Sequence, residues 1–434
     1  MNIAMLGTGY VGLVAGSCFA ETGNDVVCVD IDEAKIEQLR QGRVPFYELG
    51  LEELIQRNTR EGRLAFSTDL AEAVRRRGGH LHRGGYAPGV GGRGRPEPGV
   101  RGGGGHRTGD ERRQDRGDQE HGARGHGGAG QGDHRSRDRP SGGGGVESRV
   151  SEGGDGGEDF MKPDRVVLGG EDAGSLERLK NLYEPLVHRG NPIIVTDSRS
   201  AEMSKYASNA ILATKISFIN ETARLCEKEG ADIEQVRRIM GLDHRIGPHF
   251  IFPGIGFGGS CLPKDIRAMI AMGGDELEMP LLEAVDRVNE TQKGLLLERV
   301  KTHFGEALAG STLAVWGLSF KARTDDMREA PAIRVIDGLL RAGARVRAFD
   351  PEATKQARQR YGDRIEYGVN NYEVAAGADA VLILTEWNEF RSPDFARLKE
   401  LLHQPVVFDG RNLYDPAVMR QHGFIYYSIG RGRG

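Results

Sequence analysis

The chain of 434 residues alternates short apolar runs with segments of helical periodicity. Residues 2–6 form an apolar run, a helical stretch reaches Glu21, and a second apolar run over residues 25–29 ends at Asp30. Short buried strands that alternate with helices are typical of a parallel sheet in an α/β protein. The strands that would close this first domain lie at 165–168 and 192–195.

The middle of the chain has a helical pattern. Ala, Ile and Leu recur at helical spacing from about Ser198 to Glu229, and further helical segments reach about Val300. On the long helix, Lys205 and Asn209 are four residues apart and share one face, which is otherwise apolar. A buried lysine beside an asparagine can hold an oxyanion or position a water molecule, and a solvated lysine is the competing explanation.

The last third of the chain predicts a second α/β unit, with a helix from 332 to 341 and strands at 312–316, 345–349, 380–384 and 405–408. Ligands of such sheets bind at the carboxyl ends of the strands. Lys321 lies just past the first of these ends and is a candidate contact for a phosphate or a sugar. Arg328 could reach toward a cofactor, although capping of a helix by Thr324 and Asp325 would explain part of this motif.

We therefore predict an α/β protein with two Rossmann-like doubly wound domains joined by a helical middle domain. The boundaries are 1–197 for the first domain, 198–300 for the helical domain, which is expected to form a homodimer, and 301–434 for the second α/β domain.

A dinucleotide-binding motif follows the first strand. Gly7, Gly9 and Gly12 have the G-x-G-x-x-G spacing, and Asp30 ends the second strand. The first glycine makes the tight turn, the second admits a pyrophosphate to the helix N-terminus, and the third allows close packing of helix on strand. An acid at the position of Asp30 would bind the adenosine ribose, which favours NAD over NADP. Lys35 is close enough in sequence to lie near the same ribose or to be a solvated helix residue.

A second motif, Gly-Gly-Ser-Cys-Leu-Pro-Lys-Asp, spans residues 258–265. It places the Cys261 thiol in a glycine-rich turn, three and four residues before Lys264 and Asp265. A nearby cation can hold such a thiol as the thiolate, which is the nucleophilic form. The alternative is a buried structural cysteine. Beside a nicotinamide site, a cysteine nucleophile suggests that an alcohol is oxidised to an acid in two steps, through a thiohemiacetal and a thioester.

Composition excludes several classes of protein. The net charge of −4 gives no global attraction to nucleic acid or to a membrane surface. No apolar run reaches the ~18 residues of a membrane helix, and the N-terminus lacks the pattern of a signal peptide. The four cysteines are scattered without the spacing of a metal site, which predicts a cytoplasmic protein that binds no metal.

One block has a different composition from the rest. Residues 78–157 hold 29 of the 64 glycines and contain no Ile, Phe, Met, Lys, Asn, Cys or Trp. A segment of this kind buries too little apolar surface to offset its chain entropy, so the block is predicted to be disordered as translated. It nevertheless occupies the place where a doubly wound domain needs its later strands. A genuine Gly/Arg-rich insertion, even one that binds RNA, is the alternative, but its only aromatic residue is Tyr86.

The genetic code suggests that this block is out of frame. If each codon is shifted by one base, residues 79–88 can encode Asp-Ile-Phe-Ile-Ala-Val-Gly-Thr-Pro-Pro, an apolar strand that ends in a turn. The same shift permits Ser-Asn-Pro-Glu-Phe-Leu-Lys-Glu-Gly over residues 146–154 and Thr-Val-Pro-Val over residues 134–137. Because three sensible segments share one shifted frame, we expect that the frame is lost near Arg77 and recovered near Glu158.

Taken together, these motifs resemble the UDP-glucose/GDP-mannose dehydrogenase family. The resemblance covers about 1–77 and 158–434 and is carried by the segments at 7–12, 205–209, 252–265, 317–321 and 324–328. Three further segments, at 245–247, 385–390 and 409–412, are more similar to the UDP-glucose branch than to its relatives.

The resemblance implies that UDP-glucose is oxidised to UDP-glucuronate while two NAD are reduced. In that scheme Cys261 is the nucleophile, assisted by Lys205, Asn209 and Asp265. The nucleotide sugar would be held by Lys205, Arg245, Phe250, Ile251, Phe252, Pro253, Gly254, Gly258 and Lys321. The cofactor would contact Gly7, Gly9, Val11, Gly12, Asp30, Lys35, Lys264 and Arg328.

The chain departs from this family in the aberrant block. The family's Gly-Thr-Pro, Thr-Val-Pro and Pro-Glu-Phe-Leu motifs occur only in the shifted frame, and the Glu that acts in thioester hydrolysis falls at Arg149. As translated, the chain is therefore predicted to be inactive or insoluble. GDP-mannose or UDP-N-acetylmannosamine dehydrogenase activity, or a non-catalytic remnant that binds a nucleotide sugar, are the alternatives.

Overall fold

The computed structural model describes residues 1–76, 81–83, 146–148, 156–187 and 190–432. Its N-terminal part contains a parallel four-stranded sheet in the order β3-β2-β1-β4, with helices between the strands. The elements are β1 (Asn2–Leu6), α1 (Tyr10–Glu21), β2 (Asp25–Val29), α2 (Glu33–Arg40), α3 (Leu51–Arg60), β3 (Leu64–Ser67), α4 (Leu70–Arg76) and β4 (Leu81–Arg83). The first two strands and the helix between them agree with the sequence pattern, because each apolar run is buried against α1 and α3.

A second, three-stranded sheet follows in the order β5-β6-β7. Its elements are β5 (Val146–Ser148), α5 (Gly156–Met161), β6 (Val166–Gly169), α6 (Ala173–Tyr183) and β7 (Ile193–Thr196). The last two strands pair in parallel, as expected of strands in the first domain, but β5 pairs with β6 antiparallel. Among the described residues, β6 and β7 form a sheet separate from that of β1 to β4. A central parallel strand needs a nearly continuous apolar run, and the sequence between residues 84 and 145 offers none.

The block at 78–157 was predicted to be disordered, and two short strands depart from that prediction. Residues 81–83 pair with β1, and residues 146–148 pair with β6. Each adds hydrogen bonds to the edge of a sheet that would otherwise present unpaired backbone groups. The helix α5 also begins within the block, at Gly156. The remaining positions, including Arg149 and the segment at 134–137, lie outside the described residues.

Four helices form the middle of the chain. They are α7 (Ser198–Glu229), α8 (Ile233–Gly241), α9 (Leu262–Gly273) and α10 (Pro280–Phe304). The long helix α7 has the bounds that the periodicity predicts, with the Asp197 carboxylate accepting the Ser200 N–H at its start and Gly230 in the left-handed conformation at its end. Helices α7, α9 and α10 bury one apolar cluster that includes Ala213, Phe257 and Ile266.

The C-terminal part is a parallel six-stranded sheet in the order β10-β9-β8-β11-β12-β13. Its elements are β8 (Thr312–Trp316), α11 (Pro331–Arg341), β9 (Arg345–Phe349), α12 (Thr354–Tyr361), β10 (Glu366–Tyr367), α13 (Asn371–Ala375), β11 (Ala380–Ile383), α14 (Phe395–Leu401), β12 (Val406–Asp409), α15 (Pro416–Gln421) and β13 (Ile425–Tyr427). The strand order reverses between β8 and β11, which is where doubly wound sheets bind ligands. The predicted α/β class is confirmed.

Within the described part of the chain, no helix is both long and apolar enough to span a bilayer.

Candidate active site

Cys261 stands immediately before the first residue of α9, and its side chain is exposed. The Ser260 hydroxyl lies 3.7 Å from its sulfur atom. A helix N-terminus carries a partial positive charge, which favours an anion such as a thiolate at this position. The pKa of Arg328 is raised, first by its hydrogen bonds to Asp326 and less by the charges of Tyr10 and Cys261, so the guanidinium lies within electrostatic reach of the sulfur. Cys261 is therefore an accessible thiol in an electropositive setting.

A buried carboxylate lies one helical turn beyond the thiol. Asp265 is fully buried, and its backbone N–H donates to the Cys261 carbonyl at 2.9 Å. Asn209 on α7 donates its side-chain amide to Asp265 Oδ2 at 2.6 Å. The second carboxylate oxygen, Oδ1, forms an ion pair with Lys264 Nζ at 2.6 Å. The buried carboxylate is therefore held by one amide and one ammonium.

The structure brings together the two residues that the sequence placed on one face of α7. Lys205 is half-buried and lies one turn before the buried Asn209. The helix α7 packs along α9, which begins directly after the thiol. The Lys264 ammonium lies over the Tyr206 ring, with 5.9 Å between its nitrogen atom and the ring centroid. The Lys264 ammonium therefore lies near both Asp265 on its own helix and Tyr206 on α7.

The turn before the thiol is held in an irregular conformation. Phe250 has a φ of 61°, in the left-handed region that side chains with a Cβ rarely adopt. Ile251 and Pro253 are buried, whereas Phe252 is exposed and packs under the Arg237 guanidinium at 4.5 Å. A Cβ added to Gly254 would meet the Gly410 carbonyl oxygen at 3.2 Å, so this glycine lets the turn approach the C-terminal domain.

Three buried amide side chains support this turn, and the sequence analysis did not identify them. Asn220 accepts the Gly254 N–H at 2.8 Å, and Gln292 donates to the Gly254 carbonyl at 2.7 Å. Asn289 both accepts the Phe257 N–H and donates to its carbonyl. These polar residues lie on the apolar faces of α7 and α10. A polar residue at an apolar position of a helical pattern could have indicated a buried hydrogen-bonding group.

Lys321 lies in the loop after β8, and this loop meets the thiol-bearing turn. The neighbouring Phe320 ring is packed so tightly that a Cβ on Gly259 would come within 2.9 Å of it. The Ser319 hydroxyl donates to the Lys321 carbonyl at 2.8 Å, and Arg411 donates to the Phe320 carbonyl at 3.0 Å. The carboxyl end of β8 is therefore joined to the Cys261 turn through backbone and ring contacts.

Arg245 is not brought to this cluster by any contact in the described residues. Its guanidinium is exposed and forms a two-pronged ion pair with Asp243 in the turn after α8. These hydrogen bonds raise the pKa of Arg245. The same turn accepts the Lys215 ammonium at the Ile246 carbonyl, which ties it to the outer face of α7.

The glycine-rich loop has the geometry that its motif predicts. Gly7 has a φ of 86°, and its N–H donates to the Val29 carbonyl at 2.7 Å. Gly9 precedes α1, where a Cβ would have no heavy atom of the described residues within 4 Å. Gly12 is buried in the first turn of the helix, and the Val11 side chain is 60% exposed.

Close packing of α1 on the sheet depends on a further glycine that the motif does not contain. A Cβ on Gly16 would lie 2.5 Å from the Cys28 sulfur atom. Gly16, one turn after Gly12, therefore allows α1 to pack closely on β2. A small residue four positions after Gly12 on the same helix could have indicated this close packing.

Asp30 holds the loop from the end of β2. One carboxylate oxygen accepts the Thr8 N–H at 2.8 Å and the Thr8 hydroxyl at 2.6 Å, and Lys35 lies 3.3 Å from the same oxygen. Burial opposes ionisation, but the hydrogen bonds from Thr8 and Asp32 and the Lys35 charge hold the pKa of Asp30 below its usual range. Lys35 therefore lies beside the predicted ribose position.

These features fit a dinucleotide cofactor. The open space at Gly9 lies at a helix N-terminus, which is where a pyrophosphate can approach the backbone. The ionised Asp30 stands at the adjacent strand end, where it can accept hydrogen bonds from ribose hydroxyls. Arg328 lies over the Tyr10 ring at 5.4 Å, at the start of α1, and so places a cation at the same loop.

Three domain models of one family match the chain. The NAD binding domain of the UDP-glucose/GDP-mannose dehydrogenase family matches residues 1–78, its central domain matches residues 199–291, and its UDP binding domain matches residues 314–416. The chain therefore belongs to the UDP-glucose/GDP-mannose dehydrogenase family, as the motifs predicted. The match to the NAD binding domain supports NAD as the cofactor.

Similar proteins cover the chain from end to end. The chain is 40% identical to a UDP-glucose 6-dehydrogenase of Pseudomonas aeruginosa, over 100% of this chain and 98% of the relative. It is 41% identical to a UDP-glucose 6-dehydrogenase of Rhizobium meliloti, over 99% of this chain and 100% of the relative. A UDP-glucose dehydrogenase from Pyrobaculum islandicum is similar in structure, with a TM-score of 0.75, 28% identity, and coverage of 99% of this chain and 97% of that one.

Proposed function

We propose that the site around Cys261 oxidises the primary alcohol of UDP-glucose to the carboxylate of UDP-glucuronate. The overall reaction consumes one water and two NAD and forms two NADH. The support comes from the names of the relatives at about 40% identity, together with an exposed thiol beside a buried carboxylate. When bound at the glycine-rich loop, NAD supplies the hydride acceptor for both oxidation steps.

The arrangement of side chains supports a role for each predicted residue. The Cys261 sulfur atom would add to the aldehyde carbon, and a second hydride loss would leave a thioester. Lys205 and Asn209 would hold the oxygen that carries negative charge in that addition, because both lie on the face of α7 that meets α9. Asp265 would assist by orienting the Asn209 amide and the Lys264 ammonium, each 2.6 Å from one of its oxygens. Hydrolysis of the thioester then releases the acid and restores the thiol.

The turn at residues 250–258 and Lys321 would hold the nucleotide sugar. Both lie at the junction of the Cys261 turn with the carboxyl end of β8, where the strand order reverses. Lys321 brings a cation suited to a diphosphate, and the backbone of the glycine-containing turn can approach a sugar closely.

For the chain as translated, we keep the prediction that it makes no NADH. The match to the family's NAD binding domain ends at residue 78, where the composition changes. The residues expected to position the hydrolytic water occur only in the shifted frame. A single-base insertion or deletion near codons 77 and 157 would explain both observations, and sequencing the gene from about codon 70 to codon 165 tests it.

The function is tested by measuring NADH formation with the given chain, with a frame-restored chain and with a frame-restored Cys261→Ser variant. UDP-glucose, GDP-mannose and UDP-N-acetylmannosamine are compared as substrates. We expect steady NADH formation only from the frame-restored chain with UDP-glucose, and none beyond the first turnover from its Cys261→Ser variant.

Other results would change the assignment. Faster turnover of GDP-mannose or UDP-N-acetylmannosamine would move the chain to another branch of the family. Binding of UDP-glucose without any NADH from the frame-restored chain would identify a non-catalytic remnant. Steady NADH production by the given chain would refute the expected inactivity.

We also propose a cytoplasmic homodimer. Ile211, Phe218 and Leu225 recur every seven residues along α7, and their side chains are 58%, 54% and 57% exposed. An apolar stripe at heptad spacing on a 32-residue helix is suited to packing against a second helix. Light scattering should give twice the monomer mass, and Phe218→Glu should give the monomer. Among the described residues, no disulfide joins Cys18, Cys28, Cys226 or Cys261, which supports a reducing compartment.

A further inference from the structure

The residues from Arg323 to Glu329, called the strap here, connect the loop after β8 to α11. Arg323 and Glu329 are not glycines, yet they have φ values of 63° and 53°. Such conformations are strained and persist only where the surroundings impose them. Between them, the four residues 324–327 are buried, although none belongs to a helix or strand. Thr324 and Asp325 do not cap α11, because the N-cap of that helix is Ala330. Contacts with other parts of the chain hold the strap in place.

One side of the strap is fastened to the thiol-bearing turn. The Gly259 N–H donates to the Arg328 carbonyl at 2.8 Å. A Cβ on Gly258 would lie 2.3 Å from the Glu329 carbonyl oxygen, which leaves no room for a side chain between the two backbones. The Phe320 N–H donates to the Asp326 carbonyl at 3.0 Å, so the loop that carries Lys321 is attached as well. The strap and the Cys261 turn are thus held together through the backbone.

The other side of the strap reaches the glycine-rich loop through one carboxylate. Tyr10, inside the G-x-G-x-x-G motif, donates its hydroxyl to Asp325 Oδ1 at 2.5 Å. Asp325 Oδ2 accepts the Tyr47 N–H at 3.1 Å and a hydrogen bond from the Gln356 side chain on α12. The Asp325 residue is only 4% exposed. Two segments of the N-terminal domain and one helix of the C-terminal domain therefore share a single buried acceptor.

Tyr10 is also held on its ring faces. Its ring stacks on Phe46 with 4.0 Å between the centroids, and the Arg328 guanidinium lies 5.4 Å from the ring centroid. Since Arg328 belongs to the strap, both the hydroxyl and the ring of Tyr10 contact the same short segment. This fixes the first turn of α1 relative to the strap.

We propose that Asp325 is a positioning residue that sets the glycine-rich loop against the Cys261 turn, and that the strap transmits binding of the nucleotide sugar to that loop. The proposal rests on the proposed function for the identity of the sugar, while the positioning itself rests on contacts within the chain. Asp325 contacts neither predicted ligand; it acts through Tyr10 on one side and through the strap backbone on the other.

Hydrogen exchange followed by mass spectrometry tests the positioning in the full chain without ligand. The Asp325→Asn variant keeps the size of the side chain but replaces one acceptor oxygen with a donor. We expect exchange of the amides in residues 8–13 and 46–48 to rise by at least about tenfold, because three donors then compete for one acceptor oxygen. Asp337→Asn, which breaks an ion pair with Arg360 at 3.2 Å on α11, is the matched control and should leave those segments unchanged.

A second variant guards against general unfolding. Tyr10→Phe removes only the hydroxyl that crosses between the domains and should raise exchange in residues 8–13 alone. Adding Tyr10→Phe to Asp325→Asn should raise exchange there by less than Tyr10→Phe does alone, since both changes weaken the same contact. If Asp325→Asn behaves as Asp337→Asn does, or if Tyr10→Phe leaves residues 8–13 unchanged, the positioning role is overturned.

Saturating UDP-glucose tests the transmission. In the unsubstituted chain we expect protection of residues 250–262 and also of residues 8–13, and in Asp325→Asn only of residues 250–262. Protection of residues 250–262 without protection of residues 8–13 in the unsubstituted chain would overturn the transmission. If residues 250–262 are not protected at all, the proposed function fails for this chain, and the comparison without ligand still decides the positioning.

Discussion

Asp350 holds the loop after β8 in the same way as Asp30 holds the loop after β1. Asp350 Oδ2 accepts the Leu318 N–H at 2.6 Å, and Asp30 Oδ2 accepts the Thr8 N–H at 2.8 Å. In both sheets the acid follows the second strand, and the loop begins with a glycine of positive φ. In both α/β domains, a carboxylate after the second strand thus accepts a backbone N–H from the loop at the carboxyl end of the first strand.

The two acids differ in what covers them. Asp350 is 1% exposed and also accepts the Trp387 indole N–H and the Ser319 backbone N–H, each at 3.1 Å. The Asp30 side chain is 15% exposed and faces Lys35. The N-terminal acid is therefore accessible to a ribose, whereas the C-terminal acid is occupied by protein donors and fixes the loop that carries Lys321.

Removal of the indole donor should weaken the C-terminal domain. Trp387→Phe leaves the buried Asp350 carboxylate without one of its donors, and a hydrogen bond to a charged group contributes about 1.5–3 kcal/mol. We expect at least that loss in the free energy of unfolding, measured with urea. Tyr372→Phe, which removes an exposed hydroxyl that accepts the Asp394 N–H, should cost less than about 1 kcal/mol. Equal losses in the two variants would show that Asp350 does not depend on the indole.

Substitution by alanine should destabilise the fold strongly at Gly258 and only slightly at Gly9. Gly258→Ala places a Cβ 2.3 Å from the Glu329 carbonyl oxygen, a backbone atom that cannot move aside cheaply. Overpacking of this kind costs about 1–3 kcal/mol or more in the free energy of unfolding. Gly9 has a φ of −76° and open space around it, so Gly9→Ala should change that free energy by less than about 1 kcal/mol.

The same pair separates folding from cofactor binding. The Cβ of Gly9→Ala would fill the space predicted for the pyrophosphate, and the NAD dissociation constant should rise at least about tenfold, or roughly 1.4 kcal/mol. Urea unfolding and NAD titration of both variants check this. A stable Gly258→Ala chain, or unchanged NAD affinity in a frame-restored Gly9→Ala chain, would contradict the assignment of these glycines.

The sequence pattern predicted the regular elements well because their signals are local. The bounds of β1, β2, β8, β9 and α7 follow from apolar runs of strand length and from 3.6-residue periodicity. The G-x-G-x-x-G motif gave the turn at Gly7 for the same reason, since a positive φ at one glycine is decided by its immediate neighbours.

The parts that escaped prediction depend on residues far apart in the chain. The Tyr10–Asp325 hydrogen bond joins positions 315 residues apart, and no periodicity reports such a pair. For this reason a helix cap was a reasonable interpretation of Thr324 and Asp325. In the structure, the Asp325 carboxylate instead accepts a hydrogen bond from the Tyr10 hydroxyl. The role of Gly16 on α1 was not predicted for a related reason. Its small size matters only because Cys28 on β2 packs against it.

Stability should depend on pH through Asp30. Its hydrogen bonds favour the carboxylate in the folded state, and the pKa of Asp30 is accordingly held below its usual range despite burial. A lowered carboxyl pKa contributes stability above the unfolded value of about 3.9, and that contribution is lost as the pH falls toward the folded pKa. Asp30→Asn should therefore destabilise the chain at pH 7, and the difference from the unsubstituted chain should shrink at pH 3.

Thr8→Val provides the matched comparison for Asp30. It removes the hydroxyl that donates to Asp30 at 2.6 Å but keeps the backbone donor, so it should show the same pH dependence at smaller amplitude. Urea unfolding at several pH values between 7 and 3 measures both variants. A loss of stability in Asp30→Asn that is the same at every pH would mean that packing, rather than the charge, accounts for the effect.

Alkylation should distinguish Cys261 from the other three cysteines. Cys18, Cys28 and Cys226 are buried, and burial raises the pKa of the Cys28 thiol to about 12, which leaves almost no thiolate at neutral pH. Cys261 is exposed at the start of α9 within reach of the Arg328 charge. In the folded chain, iodoacetamide should therefore label Cys261 at least about tenfold faster than any other cysteine, as read by peptide mass spectrometry.

UDP-glucose should slow this labelling, and guanidinium chloride should make the four rates similar. Equal rates in the folded chain would contradict the placement of an accessible nucleophile at Cys261.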